Sequence, residues 1–127
     1  MQTGVGAITM FVADPQRSKA FYAQAFDLPS VFEDEHSVVF KLENTLLNLL
    51  DVREAPGLIE PAVVGQSGSR FQLTIWVDDA DGVCAGLAER GVELLNGPID
   101  RPWGVRTAAF ADPDGHVWEV AQQLHEE

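Results

Sequence analysis

Two runs of the chain carry the same plan about 65 residues apart, and that repetition narrows the available folds more than any other feature. Thr9-Met10-Phe11-Val12-Ala13-Asp14 is a β-prone run closing on an aspartate, and Leu73-Thr74-Ile75-Trp76-Val77-Asp78-Asp79 repeats it. A helical segment follows each. Asp14 is placed to cap the first helix, with Pro15 at its first position, where a missing N–H costs nothing. Phe21, Tyr22, Ala25 and Phe26 fall on one face of that helix. Asp79 is placed to cap the second, Val83, Cys84 and Leu87 form its apolar stripe, and Gly91 is its natural stop.

Strand-like runs follow each helix. In the first half these are Ser30 to Glu33, Val38 to Leu42 and Thr45 to Val52; in the second, Val92 to Leu95, Val105 to Ala111 and His116 to Gln122. The order is β-α-β-β-β, twice. A single unit of this kind leaves a sheet face bare, which a second unit can complement. We therefore expect an α+β protein of 127 residues in one domain, with module one over about 4–52 and module two over about 70–124. Residues 53–69, rich in Pro, Gly and Ser, read as a linking loop, with Gln66 to Ser69 its most mobile part.

Charge and cysteine usage exclude several function classes. Against 20 acidic residues there are 8 basic ones, a net charge of -12. Nucleic-acid binding needs the opposite balance, whereas a cationic ligand is compatible with it. No apolar run reaches the ~20 residues of a membrane-spanning helix. The N-terminal MQTGVGAITM lacks the basic stretch of a secretory signal. Cys84 is the single cysteine, so no internal disulfide forms, and a cytoplasmic setting is expected.

The segment Arg101 to Gln123 carries the most specific signal. Thr107 to Ala111 is β-prone, and Asp112-Pro113-Asp114-Gly115 is a turn in which proline presets one backbone angle and glycine supplies a positive φ. Strand character resumes at His116 and runs through Glu119. Apolar-x-Asp-Pro-Asp-Gly-x-x-x-Glu resembles the vicinal oxygen chelate superfamily, which includes glyoxalase I, extradiol dioxygenases and bleomycin-resistance proteins. The resemblance covers roughly residues 5 to 124. It implies two βαβββ modules forming a curled mixed sheet with a concave cavity. Family members usually end the first helix in Leu-Gly; here the run ends Phe26-Asp27, and aspartate tolerates the left-handed conformation better than most residues.

The same resemblance implies where metal ligands would stand, one from each of four strands: Ala7, Asn48, Gln72 and Glu119, the last being a ligand position in the family's metalloenzymes. Strand alternation sets Ile8, Met10 and Val12 beneath a helix and leaves Thr9 and Phe11 on the concave side; Trp118 likewise packs inward and Glu119 faces the cavity. Catalytic divalent metals want imidazole, carboxylate or thiolate donors, usually three. Alanine, two neutral amides and one carboxylate fall short, and His36, His116 and His125 share no strand face. No metal and no cofactor are expected. Nor is there a nucleophile elbow, a phosphate-cradling glycine loop or a Cys–His pair.

A lined cavity remains. Pro102-Trp103-Gly104 and Arg106 ahead of the turn resemble the corresponding stretch of metal-free antibiotic-binding resistance proteins. Trp103 can stack on a planar ligand, with Phe11 and Trp76 as a second aromatic wall. Asn48, Gln72 and Thr74 offer neutral hydrogen bonds, and Arg106 either binds an anionic group or pairs with an acidic residue, Glu119 being the candidate in the cavity. The expected function is sequestration of a planar small molecule by a homodimer with Pro61 to Ser69 or the Trp103 loop near its interface. The alternatives are a metal-dependent lyase, isomerase or dioxygenase of the same fold, and a cofactorless isomerase using Glu119 as base.

Overall fold

A computed structural model describes residues 1–124; His125 lies outside them. The chain divides into two compact units, one ending at Ser67 and one beginning at Gly68. Each has its own four-stranded mixed sheet and one main helix.

In the first unit, β1 (Ala7–Val12), α1 (Pro15–Phe26), β2 (Phe32–Glu33), β3 (Ser37–Lys41) and β4 (Leu46–Asp51) follow in chain order. The sheet order is β1-β4-β3-β2, with β1 and β4 parallel and the other pairs antiparallel. Helix α1 starts where expected: the Asp14 carboxylate accepts from Gln16 N at 3.0 Å, and Pro15 occupies the first turn. It stops at Asp27, whose φ of 53° and ψ of 47° place it in the left-handed region. Tyr22 and Ala25 are buried against one sheet face, where Met10, Val12, Val38, Phe40, Leu47 and Leu49 also point. The Tyr22 hydroxyl reaches Met10 Sδ at 3.6 Å, and its ring packs 6.3 Å from that of Phe40. Each such large apolar side chain contributes about 1.5–3 kcal/mol by leaving water.

Residues 53–69 are not one loop. Val52–Glu54 make a 3-10 turn and Pro56–Ile59 a short helix, α2. Proline reads as a breaker in sequence, yet it suits a helix's first position. The boundary between the units falls inside the Gln66–Ser69 stretch.

The second unit runs β5 (Gln72–Trp76), α3 (Ala80–Glu89), β6 (Leu94–Asp100), β7 (Val105–Ala111) and β8 (Val117–Gln123), in sheet order β5-β8-β7-β6. Asp79 caps α3 through Gly82 N at 3.1 Å, and Gly91 ends it with φ 83°. Trp118, Val120 and Phe110 are buried on one face with Cys84 and Leu87 of α3. Strand β6 extends five residues past the expected run, through Asn96-Gly97-Pro98, residue types that favour turns. The ladder with β7 shifts register on both sides of Asn96, so the chain bulges instead of turning. Gly97 has φ 89°, and a Cβ there would lie 2.4 Å from Thr107 O.

Candidate functional site

The pairing registers place every expected site residue except Trp103 on a sheet face. In the first unit Thr9 pairs with Asn48, and Ala7, Thr9, Phe11 and Asn48 share the face turned away from α1. Asn48 Nδ2 donates to Thr9 Oγ1 at 3.4 Å, and Asn48 Oδ1 is a buried acceptor without a partner among the described residues.

The second unit repeats this geometry with different chemistry. Thr74 pairs with Glu119 as Thr9 pairs with Asn48. The Thr74 hydroxyl donates to Glu119 Oε1 at 2.9 Å, fixing the half-buried carboxylate on the face turned away from α3. Gln72 and Trp76 flank Thr74 on that face, and Trp76 is 64% exposed. Trp103 sits in the β6–β7 turn, 70% exposed. Trp118 is buried on the opposite face, as alternation required.

Arg106 stands elsewhere. Its register partner is Gln122, which places it with Phe110 and Trp118 on the α3 side of the sheet, away from Glu119. There Nε donates to Asp100 at 2.6 Å and Nη1 to Asp81, in the first turn of α3, at 3.1 Å. These bonds hold the Asp100 carboxyl below its ordinary range and push the guanidinium up. The expected pairing with Glu119 is therefore corrected: Arg106 ties α3 to the sheet. Strand β7, Val-Arg-Thr-Ala-Ala-Phe-Ala, lacks a clean alternation, so its phase becomes visible only through β8.

Arg101 and Thr107 were not singled out in sequence. Arg101 follows Asp100 at the end of β6, and alternation turns it to the Glu119 face. Its Nε donates to Thr107 Oγ1 at 2.9 Å, and Thr107 pairs with Ala121 on that same face. No local pattern marks it, because the bond from Arg101 N to the Val105 carbonyl at 2.7 Å exists only once β6 and β7 meet.

Donor chemistry for a metal is thin in both units. Asn48 is tied to Thr9, Glu119 has Gln72 as its neighbour, and Ala7 offers nothing. Among the described residues no three His, Cys, Asp or Glu side chains come together to hold a metal ion. His116 lies on the turn, its Nδ1 2.8 Å from Asp112 Oδ2, and that contact raises its pKa.

Two cavities open in the first unit, and neither contains an expected site residue. One, of about 540 Å³, is lined by Asp14, Asp34, Glu35, Asp51 and Arg53 among others. Three of its carboxylates are engaged structurally: Asp14 caps α1, Asp34 binds Ser37, and Arg53 holds the Asp51 pKa down to about 2. The other, of about 400 Å³, is an apolar groove between Val52 and Gln66. No helix among the described residues is long and apolar enough to cross a membrane.

This fold with these strand faces defines a class, and comparison with known proteins supplies the family. The family model described as Glyoxalase/Bleomycin resistance protein/Dioxygenase superfamily matches residues 4–120, and the chain belongs to that superfamily. It is 33% identical over 123 residues to the uncharacterized protein YraH of Bacillus subtilis (strain 168), covering 92% of this chain and 96% of that one. A glyoxalase-related enzyme from Fulvimarina pelagi is similar at a TM-score of 0.83 and 26% identity, over 97% of this chain and 89% of the other. A lactoylglutathione lyase from Agrobacterium tumefaciens shares the fold at a TM-score of 0.75 and 20% identity, over 96% and 95% of the two chains.

Proposed function

We propose that this member of the superfamily binds a small, planar, partly apolar molecule without a metal, as a sequestering protein in the manner of the antibiotic-binding resistance proteins. The observation that carries the reading is the setting of Glu119. It is the sole carboxylate among the four inferred ligand positions, and its Oε1 is engaged by a hydroxyl, not accompanied by imidazoles. Catalytic divalent metals are held by about three strong donors. Trp76 and Trp103 offer exposed aromatic surface for stacking, and Gln72, Thr74 and Glu119 offer polar contacts that would orient a ligand. Thr9, Phe11 and Asn48 present the corresponding groups on the first unit's sheet. The protein acts as a homodimer in the cytoplasm.

Elemental mass spectrometry of the purified protein, incubated with zinc, nickel, iron or manganese and then desalted, tests the metal clause. Less than about a tenth of an atom per chain supports it, and about one atom per chain overturns it. Quenching of tryptophan fluorescence by aromatic antibiotics, weakened in Trp103→Ala, tests the binding clause. Sedimentation at micromolar concentration tests the dimer.

A second reading has one observation in its favour. The Thr74 hydroxyl orients the Glu119 carboxylate, as a general base in a cofactorless isomerase would require. Turnover that persists in chelator and is abolished in Glu119→Gln would favour it.

A further inference from the structure

The face of the second sheet turned away from α3 carries one carboxylate and one guanidinium that do not meet. Glu119 is held by Thr74, and Arg101 is held by Thr107. Neither has an ion-pair partner among the described residues, in contrast to Lys19–Glu33, Arg53–Asp51, Arg106 with Asp81 and Asp100, and His116–Asp112. Both side chains are half-buried, held by the sheet yet open to a ligand on this face. What separates them is Ala109, opposite Glu119, and Ala121, opposite Thr107. Neither alanine can bridge the gap. Two strand spacings and a two-residue offset set Thr74 and Thr107 roughly 12 Å apart. Two neutral hydroxyls thus fix two opposite charges at a set separation and leave their other hydrogen-bonding positions unused.

We propose that this face is a subsite for a dipolar small molecule. An ammonium or amidinium group at one end meets Glu119, a carboxylate or other oxyanion at the other meets the Arg101 fork, and a flat body lies across the two alanines. This rests on the small-molecule-binding reading and adds the ligand's charge pattern. Thr74 and Thr107 act as positioning residues. They spare the ligand the entropy cost of ordering two long side chains.

The test uses three probes that share one ring and differ in which ends are charged: zwitterionic 4-(aminomethyl)benzoate, its cationic methyl ester, and anionic 4-methylbenzoate. Binding to the full chain is read by ligand-observed NMR titration. The expected result is a Kd for the zwitterion at least about tenfold below that of either singly charged probe. Glu119→Gln should weaken the two amine-bearing probes and leave 4-methylbenzoate unchanged, and Arg101→Gln should weaken the two carboxylates alone. Glu43→Gln, an exposed charge removed elsewhere, controls for general attraction of cations to an acidic protein. Equal affinities across the three probes on the wild-type chain overturn the proposal without recourse to any variant. Aromatic antibiotics that still quench tryptophan would then leave the broader binding reading standing. Failure of all three probes together with absence of quenching overturns both.

Discussion

Asp112→Ala is the substitution whose cost the structure defines best. The Asp112 side chain is completely buried. Its Oδ1 accepts from Asp114 N and from His116 N, both at 2.9 Å, and its Oδ2 faces His116 Nδ1 at 2.8 Å. Alanine removes all three contacts at once. Orphaning a backbone N–H that was bonded to a carboxylate costs about 1–2 kcal/mol, so the two together lose about 2–4 kcal/mol. The imidazole contact, partly solvated, adds about 1 kcal/mol when His116 is charged. The expected loss is about 3–5 kcal/mol at about pH 5.5, a large share of the ~5–15 kcal/mol a domain possesses.

The pH dependence has a definite sign. The Asp112 contact raises the folded-state pKa of His116 above its ordinary 6.5. The unfolded chain therefore releases that proton first as pH rises. The stability from the charged pair is complete below pH 6.5 and is lost as pH climbs through the higher folded value. In Asp112→Asn the amide oxygen still serves both backbone N–H groups, so this variant should cost about 1 kcal/mol near pH 5.5 and much less near pH 8.5. Urea unfolding followed by tryptophan fluorescence at both pH values measures these differences. A loss under about 1 kcal/mol in Asp112→Ala, or an Asn variant equally destabilised at both pH values, would refute the reasoning.

Gly97→Ala should cost about 3 kcal/mol or more, because φ is 89° and the new Cβ would lie 2.4 Å from Thr107 O; Gly115→Ala, with φ 87° and open space around it, should cost about 1 kcal/mol. Thermal melts of the two variants separate the steric part from the conformational part. Asp27→Gly should raise stability by about 0.5–1 kcal/mol, since Asp27 closes α1 at φ 53°. Equal or lower stability would count against strain there. Arg106→Gln should leave the three benzoate probes' affinities unchanged and lower the melting temperature slightly, because the guanidinium ties Asp81 to Asp100 on the α3 side.

Much of the fold is legible because its punctuation is local. Asp14 and Asp79 cap their helices from a position a reader can count to, and Asp112-Pro113-Asp114-Gly115 turns for reasons contained in four residues. Inward Trp118 and outward Glu119 follow from simple alternation. What escapes the sequence depends on partners. The bulge at Gly97 requires a neighbouring strand to bulge against, so Asn96-Gly97-Pro98 looks like a turn until β7 is present. The side of Arg106 depends on the phase of β7, which seven residues without alternation do not reveal. Arg101 sits beside a conspicuous Trp-Gly step and owes its importance to Thr107, six residues later on the next strand.

The duplicated plan sharpens the functional argument further. Thr9–Asn48 and Thr74–Glu119 occupy equivalent places, each a threonine on the first strand of its unit beside a polar side chain on the last. One pair is neutral and the other carries a charge. In the first unit the amide donates, Asn48 Nδ2 to Thr9 Oγ1, whereas in the second the carboxylate accepts from the Thr74 hydroxyl. Glu119 is half-buried and has no ion-pair partner among the described residues. The charge at position 119 is thus the feature that distinguishes the second unit's face from the first, and Glu119→Gln, which keeps an acceptor for the Thr74 hydroxyl while removing the charge, separates the structural role from the proposed contact with a ligand's cationic group.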